Sequence, residues 1–387
     1  MTSLLVLLVV VLLGVAVWQL TKIFDLTQIG ANASDDSGIA NDKDNNINGY
    51  LMFAFLVFIY ITTIYCCVKF GDLPLMDNSA SEHGPDVDRL MWISMILIFF
   101  VQTITQALLH YFAFKYRGKQ GKKALYFADN DKLEFVWTII PVIVLAGLIL
   151  YGLYAWTNIM FVDEKEGDPI FVELYAKQFS WEARYAGEDN MLGKANVRYI
   201  EGVNTLGVDM SDPNAQDDKV VQELHIPVGR KVIFKMRSQD VLHSAYMPHF
   251  RAQMNCVPGM VTQFAFTPTM TTDEMRQTPE MVEKVARINK IRAKKSAALV
   301  AEGKTALEPY NFDYLLLCNK ICGASHYNMQ MKIVVVSEAD YKKWLNEKGT
   351  LSKAIKEANA PAEAPAATEA TSAPVADTVK AIAQLVK

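Results

Sequence analysis

Four uncharged stretches in the first 162 residues constrain this 387-residue chain more than anything else in it: Met1–Thr21, Tyr50–Val68, Leu90–Phe114 and Phe135–Val162. A helix of about 20 apolar residues crosses a bilayer. Lipid cannot hydrate peptide groups, so such runs must be helical. Nothing comparable follows residue 162, although hydrophobic residues make up 51% of the chain and charged ones 21%. Apolar and wet portions are therefore segregated. Met1–Thr21 lacks a basic n-region and an A-x-A cleavage site, so it is expected to be retained rather than removed as a signal peptide. A net charge of −4 gives no electrostatic footprint for nucleic acid. Five scattered cysteines make no disulfide scaffold.

Lysine and arginine set the orientation. Lys115, Arg117, Lys119, Lys122, Lys123 and Lys132 crowd the loop between the last two runs, which is expected on the cytoplasmic side. The preceding loop carries Asp72, Asp77, Glu82, Asp86 and Asp88 and is expected outside. Everything after residue 162 is then extracytoplasmic. Four spans also require the acidic loop Lys22–Gly49 to be cytoplasmic, with only Lys22 and Lys43 to hold it there.

Beyond the membrane the pattern turns β-rich: Ile170–Tyr175, Val220–His225, Lys231–Met236, Thr262–Phe266, Tyr314–Leu317 and Lys332–Val336, separated by Gly, Pro and Asp/Asn turns. That spacing predicts an antiparallel sandwich or barrel. Residues 187–219 read as a long polar loop, and residues 272–307 as an inserted helix. From about residue 350 the chain is Ala/Pro-rich, too polar to pack, and is expected to be disordered.

Chemistry concentrates in Cys318-Asn-Lys-Ile-Cys322-Gly-Ala-Ser-His326-Tyr-Asn-Met329, at the end of a predicted strand. Soft sulfur with imidazole favours copper or zinc over hard cations. His243, in Asp-Val-Leu-His-Ser, lies beyond another strand, within reach if both loops share one end of a barrel. Zinc held by two Cys and two His is the plain reading. Met329 argues for copper, and the second Cys for two coppers bridged by both thiolates.

With these residues the chain resembles subunit II of the haem–copper cytochrome c oxidases over roughly residues 90–345. The likeness extends to Leu-Glu134-Phe-Val-Trp137-Thr-Ile-Ile-Pro141 and to Asn255-Cys-Val-Pro258-Gly259-Met. It implies an α + β chain, N-terminal transmembrane helices followed by a cupredoxin-like Greek-key β-barrel holding a binuclear CuA centre. Residues 1–68 would be extra N-terminal transmembrane helices with an acidic loop, and 69–162 a transmembrane hairpin. Residues 163–349 would form the extracytoplasmic CuA domain with its insertion near 272–307, and 350–387 the tail.

Carried over residue by residue, Cys318 and Cys322 bridge both metals, His243 and His326 bind one each, and Met329 and the backbone carbonyl of Lys320 complete the set. The resemblance implies an aa3-type oxidase of the bacterial plasma (inner) membrane, with the CuA domain on the periplasmic face. Its centre takes electrons from a c-type cytochrome and passes them to haem a of subunit I, where oxygen reduction, CuB and proton pumping reside. Other oxidase subunits, the lipid bilayer and a larger respiratory supercomplex are the further expected partners. Phe179 stands where relatives place a Trp for electron uptake, and nearby Trp181 is a second candidate. Glu134 is read either as an N-terminal helix charge or as an acid near a proton path. Lys320 replaces a Glu that in relatives reaches magnesium or manganese, so that ion is not expected to be held from here. His249 is expected at the surface or in docking, His225 as structural, and Cys256 as a small hydrophobe. Three rivals are a copper-free quinol oxidase subunit II, a zinc-stabilised membrane scaffold, and a fused cytochrome c donor. The last needs Cys-x-x-Cys-His, which the chain lacks.

Overall fold

The computed structural model describes residues 10–23, 41–71, 78–165 and 167–359. Three described helices are long and apolar enough to cross a membrane: α2 (Asp42–Phe70), α3 (Gly84–Lys115) and α4 (Asp131–Met160). At about 1.5 Å per residue each is ample for a hydrocarbon core of about 30 Å. The first expected span is described only as the shorter α1 (Val10–Ile23), and residues 1–9 of that run lie outside the described residues.

Local chemistry sets the helix ends. The Asn41 side chain accepts from the backbone N–H of Lys43 and Asp44 to start α2, and Asn130 accepts from Leu133 N–H to start α4. Hydrogen bonds join the start of α2 to the basic loop that follows α3. Arg117 Nε donates to Asn46 Oδ1 at 2.7 Å, and Gln120 N–H donates to Asp42 Oδ1 at 2.6 Å. The start of α2 and the basic loop therefore share one side. Asp42 is the acidic residue held there by a bond from that loop, and residues 24–40 of the expected acidic loop lie outside the described residues.

The second half folds as two five-stranded sheets. One has the order β3-β2-β1-β5-β8 and the other β4-β10-β9-β6-β7. The strands are β1 (Ile170–Lys177), β2 (Ser180–Tyr185), β3 (Lys219–Val221), β4 (Leu224–Pro227), β5 (Val232–Ser238), β6 (His243–Met247), β7 (Ala252–Cys256), β8 (Thr262–Phe266), β9 (Tyr314–Cys318) and β10 (Gln330–Val336). β1 with β5 and β4 with β10 run parallel, while the other pairings are antiparallel. Apolar helices followed by this two-sheet β domain are the expected α + β architecture. Val172, Leu174, Phe234, Leu316, Ile333 and Val335 fill the space between the sheets, all nearly inaccessible. Each such aliphatic or aromatic side chain contributes about 1.5–3 kcal/mol by leaving water.

Three strands escaped the sequence reading because their residues are polar for local reasons. β2 buries Glu182 and Arg184, β6 opens with His243 and Ser244, and β7 alternates Gln253 and Asn255 outward. The expected run Val220–His225 is broken in two at Gln222–Glu223. Residues 187–219 are polar but packed: Leu206, Val208 and Ala215 cover the outer face of β1 around Tyr175. Arg184 ties them down, with Nε 2.6 Å from Glu173 and Nη1 2.5 Å from Asp218. The inserted helix is two helices, α5 (Thr272–Gln277) and α6 (Pro279–Ala301). After α7 (Glu338–Asn346), the expected tail begins with structure instead. In α8 (Leu351–Ala358), Leu351 is buried in that outer cluster and its N–H donates to Asp218 O at 2.8 Å. Residues 360–387 of the expected tail lie outside the described residues.

The membrane helices join the β domain at one pole. Ala80 N–H donates to His249 O at 2.7 Å, Thr269 N–H to Ala80 O at 2.9 Å, and Arg251 clasps buried Asp88 at 2.6 Å. His249 is consequently a core residue, correcting the expected surface role. Phe312 and Tyr314 pack edge-on to its ring at 5.0 and 5.5 Å. Burial drops its pKa to about 3, so the imidazole is neutral.

Candidate metal centre

At the opposite pole, the start of β6, the end of β9 and the start of β10 converge. Pairing of Ala245 with Cys318 aligns β6 against β9, and Cys318 N–H donates to Met329 O at 3.1 Å across the loop that leads into β10. His243, Cys318 and Met329 thus start from three neighbouring strands. The intervening segment is a chain of tight turns, His326 N–H to Gly323 O and Met329 N–H to His326 O, which folds Cys322 and His326 back over Cys318.

The resulting distances are short and even. Cys318 Sγ lies 3.8 Å from Cys322 Sγ, 3.7 Å from His243 Nδ1 and 3.2 Å from the Lys320 carbonyl oxygen. Cys322 Sγ lies 3.6 Å from His326 Nδ1 and 3.8 Å from Met329 Sδ. Two sulfurs therefore sit side by side, each with one imidazole nitrogen and one weak donor at its flank. His243 Nδ1 and the two thiols fall within 4.8 Å of one another. Burial and the neighbouring Cys318 thiol push Cys322 up to about 11, so the Cys322 thiol is neutral at pH 7 unless a cation compensates. Five soft or borderline side-chain donors in one water-poor pocket suit copper, and a thioether among them is out of place around zinc.

A ring of contacts outside the donors holds them in place. Asp240 Oδ1 accepts from His243 Nε2 at 2.8 Å, which leaves the Nδ1 lone pair facing the sulfurs. Asp240 Oδ2 accepts from Gln178 N–H at 2.7 Å. The Gln178 side-chain amide donates in turn to the Cys322 carbonyl. Burial opposes ionisation of Asp240, yet the hydrogen bonds from Gln178 and His243 hold its pKa below the usual carboxylate value. Gln178 and Asp240 were both within the motifs read from sequence, but nothing in their spacing assigns them this positioning role.

Of the two electron-uptake candidates, Phe179 is half-buried and lies against Gly323, beside Cys322. Trp181 is 3% exposed, its ring 6.3 Å from that of His243. It is a core ring beside the donor set and does not reach the surface. Lys320 and Asn255 are exposed. Cys256 pairs opposite His243 in the β6–β7 ladder, fully buried, and burial raises its thiol to about 12. It behaves as the small hydrophobe expected. His225 stacks on Trp344 at 4.1 Å and pairs with Glu223, away from the donors. Glu134 lies in the exposed first turn of α4, at the far end of the membrane helices.

Two family profiles match the chain. One, described as cytochrome C oxidase subunit II, transmembrane domain, covers residues 69–155. The other, described as the periplasmic domain of the same subunit, covers residues 171–284. An alternative cytochrome c oxidase subunit 2 of Bradyrhizobium diazoefficiens is 32% identical over 268 residues, spanning 69% of this chain and 81% of that protein. A cytochrome c oxidase subunit 2 of Cereibacter sphaeroides is 22% identical over 285 residues, 68% and 77% of the two chains. A probable quinol oxidase subunit 2 of Staphylococcus epidermidis is 23% identical over 214 residues, 53% and 49% of the two chains.

Proposed function

The chain belongs to the cytochrome c oxidase subunit II family, and on that premise we propose that it is the electron-accepting subunit of an aa3-type oxidase. Electrons from a c-type cytochrome arrive at the outer face of a bacterial plasma membrane and leave for haem a of subunit I. Oxygen reduction and proton pumping take place there, and no side chain of this chain makes or breaks a bond. The observation that carries this reading is the paired sulfurs at 3.8 Å, flanked by two imidazoles and a thioether.

Cys318, Cys322, His243, His326, Met329 and the Lys320 carbonyl would together hold two coppers. Bound copper would supply one-electron storage delocalised over both metals. The protein's part is rigidity. Strands β6, β9 and β10 fix the donors, Asp240 fixes the His243 ring, and Gln178 fixes the carbonyl of Cys322. A site that barely moves loses little energy to reorganisation, which keeps transfer fast at small driving force. Phe179, beside the Cys322 turn, is proposed as the electron-uptake contact and Trp181 as a buried ring behind it. Glu134 is proposed to stand near the mouth of a proton path in subunit I. Residues 1–68 are proposed as added membrane anchorage, 69–162 as the hairpin that seats on subunit I, and 163–349 as the copper domain. Lys320 presents an ammonium at the position from which a magnesium or manganese ligand would be needed, so no such ion is assigned to this chain.

The match to a probable quinol oxidase subunit 2 supports a copper-free second reading, and metal content separates the two. Purified full-length protein should contain two coppers and give a mixed-valence dicopper EPR signal. Cys318→Ser should abolish the near-infrared copper absorbance while the helices stay inserted. Copper-free protein with quinol oxidase activity would sink the first reading, and stoichiometric zinc without colour would favour a scaffold.

A further inference from the structure

Exposed apolar side chains on α2, α3 and α4 are accounted for by the bilayer those helices are long and apolar enough to cross. Three others are not on a helix. Leu125, Tyr126 and Phe127 are 85%, 90% and 77% exposed in the loop between α3 and α4, where residues 122–130 form neither helix nor strand. Large apolar side chains that project together in this way mark a contact surface.

Charge in the same loop is just as unevenly placed. Residues 115–123 hold Lys115, Arg117, Lys119, Lys122 and Lys123 and no acid. A turn at Gly121, whose φ is +75°, brings Lys122 N–H to Lys119 O at 3.1 Å, and both side chains are exposed. On the other flank, Asn130 caps α4 three residues after Phe127. An extended chain covers at most about 3.6 Å per residue, so Phe127 lies within ~14 Å of Asp131, the first residue of α4. Asp131, Lys132 and Glu134 are the charges at the entry of that helix, and they belong at headgroup level. The apolar triplet is tethered to the same level. Aromatic rings favour the boundary between hydrocarbon and headgroups, and lysines clustered beside a crossing helix are drawn to anionic lipid. A protein partner would need an apolar hollow and a separate acidic strip to meet both features. One anionic leaflet meets both, with acyl chains for the rings and phosphates for the lysines.

We propose that the α3–α4 loop is an interfacial anchor: Leu125, Tyr126 and Phe127 insert into the leaflet beside it, while Lys119, Lys122 and Lys123 hold anionic headgroups. The anchor fixes the depth at which α4 enters the bilayer. It requires α3 and α4 to cross a membrane and is independent of the copper assignment.

Photo-crosslinking of the intact oxidase, in vesicles of phosphatidylcholine and phosphatidylglycerol in equal parts, tests it. With Tyr126 replaced by p-benzoylphenylalanine, a change at a side chain too exposed to disturb folding, irradiation should add phospholipid mass to the peptide carrying residue 126. Phosphatidylglycerol adducts should outnumber the others about fivefold, as expected of lysines at an anionic surface. K122Q/K123Q should bring the two lipids to equal shares. L125S/F127S keeps every lysine and should cut total lipid adduct about tenfold, which decides the matter if the lysine variant inserts poorly. An adduct with another subunit would make the triplet a protein contact, and no adduct at all would leave it in water. Either result overturns the proposal, and an unchanged phosphatidylglycerol share in K122Q/K123Q would overturn the lysines' part in it.

Discussion

Asp240 shows how much of the centre depends on a residue that carries no donor atom. Its two carboxylate oxygens connect the His243 ring to the backbone of Gln178, whose side chain reaches the turn carrying Cys322. Removing it frees the imidazole to rotate and unties the β1–β2 turn from the Cys loop. Asp240→Ala should therefore lower copper affinity about 10–100-fold, the usual cost of losing a carboxylate behind a ligating histidine, as measured by competition with a chelator. Asp240→Asn keeps an oxygen to accept from Nε2 and should retain the metal. Loss of the negative charge should then raise the reduction potential, because the oxidised, more positive state loses a favourable neighbour. An unchanged potential in a copper-loaded Asp240→Asn protein would mean that the carboxylate is protonated or screened. Gly323 sets a steric limit at the same spot. A Cβ there would lie 2.8 Å from the Phe179 ring, and its φ of +141° suits no side chain, so the turn and the ring are matched to each other.

At the scale of elements, what the sequence conveyed and what it hid follow from burial. The membrane helices and the strands of aliphatic residues were legible because their periodicity has a single cause, apolar surface leaving water. The donor set was legible because sulfur and imidazole at that spacing have few other uses. β2 and the 187–219 segment were not, because an ion cluster on the outer face of β1 stands in for apolar packing. Arg184 lies between Glu173 and Asp218, with Arg237 on the other side of Glu173. α8 went unseen for a related reason: buried Leu351 and half-buried Ile355 anchor a helix only eight residues long. This cluster gives the β domain a pH dependence. Burial raises Asp218 from 3.8 to about 6 despite Arg184. Between those values the folded chain holds a proton that the unfolded chain has released, so this contribution to stability falls as pH rises through the window. Burial also works against ionised Glu173, but Arg184 and Arg237 prevail and lower its pKa. Its contribution is complete above the ordinary carboxylate value and is lost on acidification. Stability of the β domain should thus peak in mildly acidic solution. Asp218→Asn should flatten the decline on the neutral side, which in the parent can reach at most about 1.4 kcal/mol per pH unit. Urea midpoints of parent and variant measured across that window check it, and parallel curves would rule out Asp218 as the titrating group.

For the whole molecule, the function depends on which side of the membrane the sulfurs face. Three consecutive crossings by α2, α3 and α4, each long and apolar enough for one, would put the start of α2 and the β domain on opposite sides. The hydrogen bonds from Arg117 and Gln120 to Asn46 and Asp42 put the basic loop with the start of α2. Lys115, Arg117, Lys119, Lys122, Lys123 and Lys132 are the charge bias expected of a cytoplasmic side. Chain connectivity, side-chain hydrogen bonds and charge all accord with the proposed orientation, in which the sulfurs lie on the side opposite the basic loop. Lys122 and Ala298 are both exposed, on the basic loop and on α6 respectively, and report the two sides separately. In spheroplasts a membrane-impermeant maleimide should label Lys122→Cys only after the membrane is opened, and Ala298→Cys at once, each measured against the labelling of the parent cysteines. The reverse pattern would turn the donor site toward the cytoplasm, where the proposed cytochrome could not deliver its electron, and no adjustment of the metal chemistry would rescue the assignment.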